Sequence, residues 1–347
     1  MNVLFYLGHP AHFHLFRNTI LHLNKKGIEA TVCIKTKDVL EQLLKENNIS
    51  YINISDSYDR SKALKNFVSR LWKLSGIIRE KKPRLLLGSA AELAVLGKFH
   101  RIASYVFFED DFEAVKKFAK IAGPFADHLV CPECCSAWKW EKKKIGHPSY
   151  HELAYLHPDH FFPDKEKVKN IFDLSQKNFI LRFAELTAYH DEGKSGINTP
   201  VARRLIGILE PHGKVFITSE RKLESEFEKY RISIPASEIH HALYFADMYI
   251  GDSQTMTAEA AVLGTPAVRF NDFVGKLSYL EELEHKFNLT YGIKTSEPQK
   301  FFETVMDLLN TPDLKMQWAN RRDDMLKQRI NLAEFMNKLV DKNLGVV

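Results

Sequence analysis

Residues 249–266 read YIGDSQTMTAEAAVLGTP, and this stretch decides the fold of the chain. An apolar strand ends at Gly251, small polar residues open a helix, and Gly264-Thr265-Pro266 ends it. A strand that leads directly into a helix is half of a βαβ unit. Repeated units of this kind build a parallel sheet with helices on both faces.

The same alternation of short apolar runs and amphipathic stretches extends outward on both sides. Strands are predicted over residues 3–7, 30–34, 51–54, 85–87, 105–108, 129–131, 179–183, 214–218, 248–250 and 267–270. We therefore predict an α/β protein with two Rossmann-like domains facing a cleft.

The alternation fails over residues 142–164, where three lysines and three prolines crowd a stretch with no steady period. We place the domain boundary there, with a first domain at 1–163 and a second at 164–325. A long amphipathic helix is predicted over 313–342. Its end, within 326–347, is expected to pack back on the first domain.

Composition limits the class of protein. The 347 residues are 45% hydrophobic and 27% charged, which excludes general disorder, and no apolar run approaches 18 residues. The first residues form a strand and not a signal peptide, so we expect a cytoplasmic protein. The formal charge of +5 is mild, and the sequence indicates no nucleic acid partner. Cys131, Cys134 and Cys135 lack a second ligand pair, so no metal is predicted.

The loop after residues 248–250 carries four consecutive polar residues in an order that suits a diphosphate. Asp252, Ser253, Gln254 and Thr255 open the helix, where free N–H groups and hydroxyls bind phosphate. Glu259 follows one turn later on the side of Thr255, where it would accept hydrogen bonds from ribose hydroxyls. A helix that is merely capped by Asp252 or Ser253 is the alternative.

Two further loops of the second domain are assigned to the nucleotide site. Arg182, His190, Lys194 and Ser195 lie in a loop after a strand, where lysine and serine follow a glycine but the spacing is not that of a P-loop. An ordinary solvated loop is the alternative there. The next strand is followed by Ser219 and Glu220, which are also expected to line the site.

In the first domain, two loops carry groups suited to proton transfer. His9, His12 and His14 follow the first strand, and histidine titrates near neutral pH. Residues 107–113 hold four carboxylates, among them Glu109 and Glu113, any of which could be an acid, a base, a metal ligand or a helix cap.

The helix over residues 62–79 is amphipathic and basic, with Trp72 at the border of its apolar face. Such a helix either lies on a membrane surface or packs on the sheet with a solvated polar side. The membrane interpretation would place the protein at the inner face of a membrane.

Segments in both domains resemble a known family. Residues 12–14, 152–158, 182–184 and 251–266 are similar to the GT-B-like family catalogued as domain of unknown function 354, and the resemblance covers nearly the whole chain. Residues 251–266 also resemble the donor-binding segment of non-hydrolysing UDP-N-acetylglucosamine 2-epimerases and of GT-B glycosyltransferases.

The resemblance assigns roles to individual residues. It implies that Ser253, Gln254 and Thr255 bind the diphosphate and that Glu259 binds the ribose. It places His14 near an acceptor, and Glu109 where the epimerases carry a catalytic carboxylate.

Two positions depart from the epimerase pattern. Gln254-Thr255 replace two glycines, and Gly88-Ser89 stand where an aspartate is expected. Loss of that carboxylate weakens the proton shuttling that epimerisation needs and favours transfer.

The sequence therefore predicts a metal-independent glycosyltransferase in surface polysaccharide or glycoconjugate synthesis. It has no cofactor, uses a nucleotide-diphosphate sugar (a UDP-sugar favoured), and acts on a carbohydrate or lipid-linked acceptor. His14 or His12 is the base, and Lys194 helps to stabilise the leaving diphosphate. The alternatives are a nucleotide-sugar 2-epimerase that works through Glu109, Glu113 and His190, and a nucleotide-sugar-binding protein without activity.

Overall fold

The structure is a computed structural model that describes residues 1–36, 39–55, 63–184 and 196–346. The chain divides into two compact units. Unit 1 contains Met1–His160 together with Ile330–Val347, and unit 2 contains Phe161–Arg329. The described helices include none that is both long and apolar enough to cross a membrane.

Unit 1 is built on a seven-stranded sheet in which every pair of neighbours is parallel. Its strands are β1 Asn2–Leu7, β2 Glu29–Lys35, β3 Ile52–Ser55, β4 Leu85–Gly88, β5 Ala103–Phe107, β6 His128–Pro132 and β7 Lys144–His147, in the order β3-β2-β1-β4-β5-β6-β7. The helices between them are α1 Pro10–Lys25, α2 Leu40–Glu46, α3 Ala63–Lys81, α4 Ala91–His100 and α5 Lys116–Phe125. The central strand β1 is buried at all six positions, as expected where helices cover both faces of a parallel sheet.

Unit 2 repeats this design with five parallel strands. The strands are β8 Lys177–Phe183, β9 Gly213–Ser219, β10 Met248–Gly251, β11 Ala267–Phe270 and β12 Thr290–Ile293, in the order β12-β11-β10-β8-β9. Its helices are α6 Thr199–Leu209, α7 Ile239–Phe245, α8 Gln254–Leu263, α9 Ser278–His285, α10 Pro298–Leu309 and α11 Leu314–Leu326. The predicted α/β class with two Rossmann-like domains is confirmed.

The prediction of one long C-terminal helix is wrong, because the chain forms α11 and then a separate helix, α12 Leu332–Leu344. Asn331 caps this second helix by accepting the N–H of Glu334 at 3.3 Å. Helix α12 packs on α1 within unit 1, where Asp341 accepts hydrogen bonds from His22 and Lys26.

Strands β7 and β12 were not predicted. Each has four residues with a glycine at the third position, Lys-Ile-Gly-His and Thr-Tyr-Gly-Ile, so neither presents an apolar run. Both are held by a neighbouring strand, β6 in one sheet and β11 in the other.

Strand order locates the place in each sheet where a ligand is expected. In open parallel sheets, ligands bind beyond the carboxyl ends of two strands whose connections run in opposite directions. That point lies between β1 and β4 in unit 1, and between β8 and β10 in unit 2.

Candidate functional site

In unit 2, the strand register aligns the predicted residues at the carboxyl edge of the sheet. Arg182 lies opposite Thr218 on one side and Gly251 on the other. Its guanidinium donates to the Thr218 hydroxyl at 2.8 Å and pairs with the carboxylate of Glu220. A Cβ at Gly251 would lie 2.8 Å from the Cβ of Arg182, so glycine is required where the two strands meet. The neighbouring Ser219 hydroxyl donates to the carbonyl of Arg221 at 2.7 Å.

Helix α8 begins directly beyond this edge and exposes only its start. Ser253 caps the helix: its hydroxyl accepts the N–H of Met256 at 3.4 Å, and its carbonyl accepts the Thr257 hydroxyl at 2.6 Å. Ser253, Gln254 and Thr255 are half-buried, whereas every residue of the helix from Met256 onward is buried. The accessible part of α8 is therefore its first turn, the end that attracts anions.

Asp252 is buried beneath that turn and is only 1% exposed. Its carboxylate accepts the N–H of Ala184 at 2.6 Å and the N–H of Ile197 at 3.1 Å. Burial raises the pKa of this carboxyl to about 6, against the opposing effect of the two N–H donors. Asp252 thus binds two segments of the chain, one at Ala184 and one at Ile197. Three predicted site residues, His190, Lys194 and Ser195, lie outside the described residues.

Glu259 is buried one turn into α8, and Oε1 lies 3.0 Å from Nε2 of the buried His240 on α7. His240 was not identified from the sequence, because it lies on a different helix and no local motif links the two. The histidine fixes the orientation of the carboxylate. A contact between Glu259 and a ribose remains a prediction.

In unit 1, the structure distinguishes between the three histidines that follow β1. The Nδ1 atom of His12 accepts the N–H of Gly8, and that of His9 accepts the N–H of Ala11, both at 3.1 Å. A neutral imidazole with an accepting Nδ1 carries its proton on Nε2, so His12 and His9 present a donor at Nε2. His14 is half-buried, and its ring lies 5.0 Å from that of Tyr155.

Glu109 follows β5 and lies against the 3₁₀ turn His151–Ala154. Its Oε1 accepts the N–H of His151 at 2.9 Å, and its Oε2 is 3.6 Å from Nδ1 of the same residue. Burial and the neighbouring carboxylate of Glu152 raise the pKa of Glu109 well above its usual range. Such a carboxyl retains its proton toward neutral pH and can serve as an acid.

The histidines beside Glu109 are neutral. Burial, with smaller effects from His147 and His12, lowers the pKa of His151 well below its usual value. Burial also lowers the pKa of His147 to about 3. The acid–base cluster, defined as Glu109, His147, His151 and Glu152, therefore links the loops that follow β5 and β7, with His12 close by. In this cluster His147 and Glu152 are buried, and Glu109 and His151 are half-buried.

Three members of this cluster were not predicted as site residues: His147, His151 and Glu152. His147 ends the short strand β7, and Glu152 lay in a segment used only for its family resemblance. The other predicted carboxylate, Glu113, is exposed and accepts the Ser136 hydroxyl at 2.9 Å. Within the described ranges, no group of three or more His, Cys, Asp or Glu side chains is placed to hold a metal ion.

Known structures share this fold. S. aureus MnaA in its co-structure with UDP superimposes with a TM-score of 0.73 at 13% identity, covering 100% of this chain and 97% of that one. UDP-GlcNAc 2-epimerase from Neisseria meningitidis bound to UDP-GlcNAc gives 0.66 at 13% identity, and spinosyn forosaminyltransferase SpnP gives 0.67 at 14%, each covering 99% of both chains. At these identities the likeness establishes the fold alone.

A search of curated proteins finds no significant match. A family profile described as protein of unknown function (DUF354) matches residues 1–283. The match spans most of the chain, which therefore belongs to the DUF354 family.

Proposed function

We propose that this protein is a glycosyltransferase that uses a nucleotide-diphosphate sugar, with a UDP-sugar favoured as donor. The observation that carries the proposal is the start of α8, which opens at the expected ligand-binding point of unit 2 and exposes only Ser253, Gln254 and Thr255. The N–H groups of Gln254 and Thr255 have no acceptor within the helix, by the geometry of any helix start. Together with the hydroxyls they suit the two phosphates of such a donor.

In the proposed reaction, unit 2 binds the donor and unit 1 activates the acceptor. A hydroxyl of a carbohydrate or lipid-linked acceptor attacks the anomeric carbon, its proton passes to His14, and the bond to the diphosphate breaks. The positive end of α8 stabilises the charge of the departing diphosphate, and this stabilisation requires no metal ion. His14 is proposed as the base because the family resemblance places it near the acceptor, whereas Nδ1 of His12 accepts the N–H of Gly8.

Glu259 is proposed to bind the ribose, with His240 as the residue that positions it. A carboxylate that accepts two ribose hydroxyls makes charge-assisted hydrogen bonds, which are worth about 1.5–3 kcal/mol each. Replacement by glutamine keeps the size of the side chain and an oxygen near His240, but removes the charge.

The test is a thermal-shift panel with UDP, GDP, dTDP, CMP and their sugars on the wild type, Glu259→Gln and Glu303→Gln. Glu303 is the matched control, since it is exposed on α10 and its carboxylate accepts a hydrogen bond from Gln299 at 2.9 Å. A ligand at about 100 times its Kd stabilises by about 2.7 kcal/mol, which is a shift of several degrees. We expect one nucleotide class to shift the wild type and the control but not Glu259→Gln. A panel without any shift would contradict the proposal.

A second function, nucleotide-sugar 2-epimerisation, is favoured by the acid–base cluster. Epimerisation by elimination removes the C2 proton and then returns a proton, and a carboxyl with a raised pKa beside a second carboxylate suits that exchange. Incubation with UDP-N-acetylglucosamine in deuterated water decides between the two reactions. Deuterium at C2 without an acceptor establishes epimerisation. Sugar transfer to an acceptor with C2 unlabelled supports the glycosyltransferase, and binding without either reaction supports the non-enzymatic alternative.

A further inference from the structure

Helix α3 of unit 1 carries large apolar side chains that point into water. Leu64 is 77% exposed, Val68 is 56% exposed and Trp72 is 74% exposed. Their spacing of four residues places them on one stripe, within about 80° around the helix axis. Soluble proteins scatter single apolar residues over their surface, but a continuous stripe of this kind marks an interaction site.

The stripe is not the face through which α3 packs on the sheet. Helix α3 packs on the sheet through Leu74 and Ile78, which are fully buried in a cluster with residues of β1, β2 and β4. On the helix these two residues lie about 100° from the centre of the stripe. The apolar arc of α3 is thus wider than the part packed in this core, and the other part of it is largely exposed.

A fourth exposed apolar side chain lies at the end of α4, next to a residue that contacts α3. The hydroxyl of Ser75 on α3 lies 2.8 Å from Nε2 of His100, the last residue of α4. This contact brings the end of α4 beside the middle of α3, and with it Phe99, which is 76% exposed. We call Leu64, Val68, Trp72 and Phe99 the apolar patch.

The surroundings of the patch are basic. Between residues 63 and 79 the chain has four basic residues and no acidic one. Arg70 is neutralised by an ion pair with Glu92 at 2.7 Å, but Lys65 and Arg79 flank the stripe. An apolar face bordered by lysine and arginine is complementary to a bilayer surface with anionic headgroups, where acyl chains take the apolar groups and phosphates take the cations.

We propose that the apolar patch docks unit 1 on the surface of an anionic phospholipid bilayer, with α3 lying flat at the level of the headgroups. Trp72 occupies the interface, as amphipathic aromatic rings do. This inference is independent of the proposed function, because it uses neither the nucleotide site nor the acid–base cluster.

The first test is flotation with two kinds of vesicle, pure phosphatidylcholine and the same lipid with about one third phosphatidylglycerol. We expect the protein to float with the anionic vesicles and to be released by high salt. The double variant Leu64→Ser/Trp72→Ser is expected to bind at least about 10-fold more weakly, since each large apolar side chain contributes about 1.5–3 kcal/mol on burial. The matched control is Phe162→Ser, which removes a side chain of unit 2 that is 73% exposed.

Quenching by brominated lipid then tests the orientation. The chain has four tryptophans, and Trp72→Phe keeps the patch apolar while removing the one proposed to touch lipid. We expect Trp72→Phe to float like the wild type but to lose the quenching. A wild type that does not float overturns the proposal, as does equal binding by Leu64→Ser/Trp72→Ser. Dimers in sedimentation velocity that dissociate in this double variant, without flotation, would assign the patch to a second copy of the chain.

Discussion

Carboxylates lie beyond the carboxyl ends of the strands in both sheets, but their surroundings differ. In unit 2, Asp252 accepts two backbone N–H groups and Glu259 is paired with His240. In unit 1, Glu109 lies beside the buried carboxylate of Glu152 and beside histidines that burial keeps neutral. The first arrangement fixes a charge in place, whereas the second leaves a proton that can move.

The difference indicates a division of labour between the units. A carboxylate held by donors is a rigid support, and unit 2 uses such supports around the accessible turn of α8. Two carboxyls that compete for a proton, with neutral imidazoles nearby, are typical of acid–base chemistry. We therefore expect substitutions at the end of the sheet of unit 1 to affect turnover, and substitutions in unit 2 to affect stability and binding.

The largest effect is expected from His14→Gln. If His14 takes the acceptor proton, its loss should lower kcat by about 10²–10⁴-fold with little change in the Kd of the donor. The measurement is the initial rate with the donor found in the binding panel. His12→Gln is the matched control, because His12 uses Nδ1 to accept the Gly8 N–H, and it should lower kcat less than about 10-fold. Full turnover in His14→Gln would remove the proposed base.

The next effect concerns stability. Asp252→Ala removes the acceptor of two backbone N–H groups, and each unsatisfied donor costs about 1–3 kcal/mol, so unit 2 should lose about 2–6 kcal/mol. Urea unfolding at neutral pH measures the loss. The control is Asp324→Ala on α11, where an exposed carboxylate forms an ion pair with the exposed Lys327. This substitution should change the free energy of unfolding by less than about 0.5 kcal/mol. Equal losses in both variants would show that Asp252 is not the anchor.

Much of the fold was predictable from the sequence, because parallel strands covered on both faces are apolar runs separated by helices. The first turn of α8 was predictable for a similar reason, since strand, loop and helix are adjacent along the chain. The contacts that give the candidate site its chemistry are not local. Asp252 meets Ala184 across 68 positions, and Glu109 meets His151 across 42. Such pairs depend on strand order and register, and β7, which brings in His147, has too short a pattern to be predicted.

Acid should change the stability contributions of His147 in unit 1 and Asp252 in unit 2 in opposite directions. His147 has a pKa of about 3 in the folded chain and about 6.5 when unfolded, so the unfolded state binds more protons below pH 6.5. Stability that is present at pH 7 is therefore lost as the pH falls, by about 2 kcal/mol at pH 5. The comparison of wild type with His147→Phe by calorimetry at pH 7 and pH 5 isolates this contribution from that of Glu109, whose raised pKa acts with the opposite sign.

The carboxyl of Asp252 should give the opposite pH dependence of stability. Its pKa is about 6 when folded and 3.8 when unfolded, so the folded state binds more protons between these values. The free energy of unfolding should rise by about 2 kcal/mol as the pH falls from 6 to 4, and this rise should be absent in Asp252→Asn. The same sign of pH dependence at both residues would contradict the opposite proton linkage derived for His147 and Asp252.

The smallest effect is expected at Thr255, where unit 2 is proposed to offer a neutral hydroxyl to the diphosphate. Thr255→Val keeps the shape of the side chain and removes one hydrogen bond, worth about 0.5–1.5 kcal/mol, so the Kd of the nucleotide should rise by about 2- to 10-fold. Thr304→Val on α10 is the control, because its hydroxyl bonds only within its own helix, to the carbonyl of Lys300. Titration calorimetry measures both. Since Thr255 carries no charge, the loss of nucleotide affinity should be the same at pH 6 and pH 8. A lower kcat with an unchanged Kd would instead show that Thr255 of unit 2 takes part in the reaction, which is assigned above to residues of unit 1.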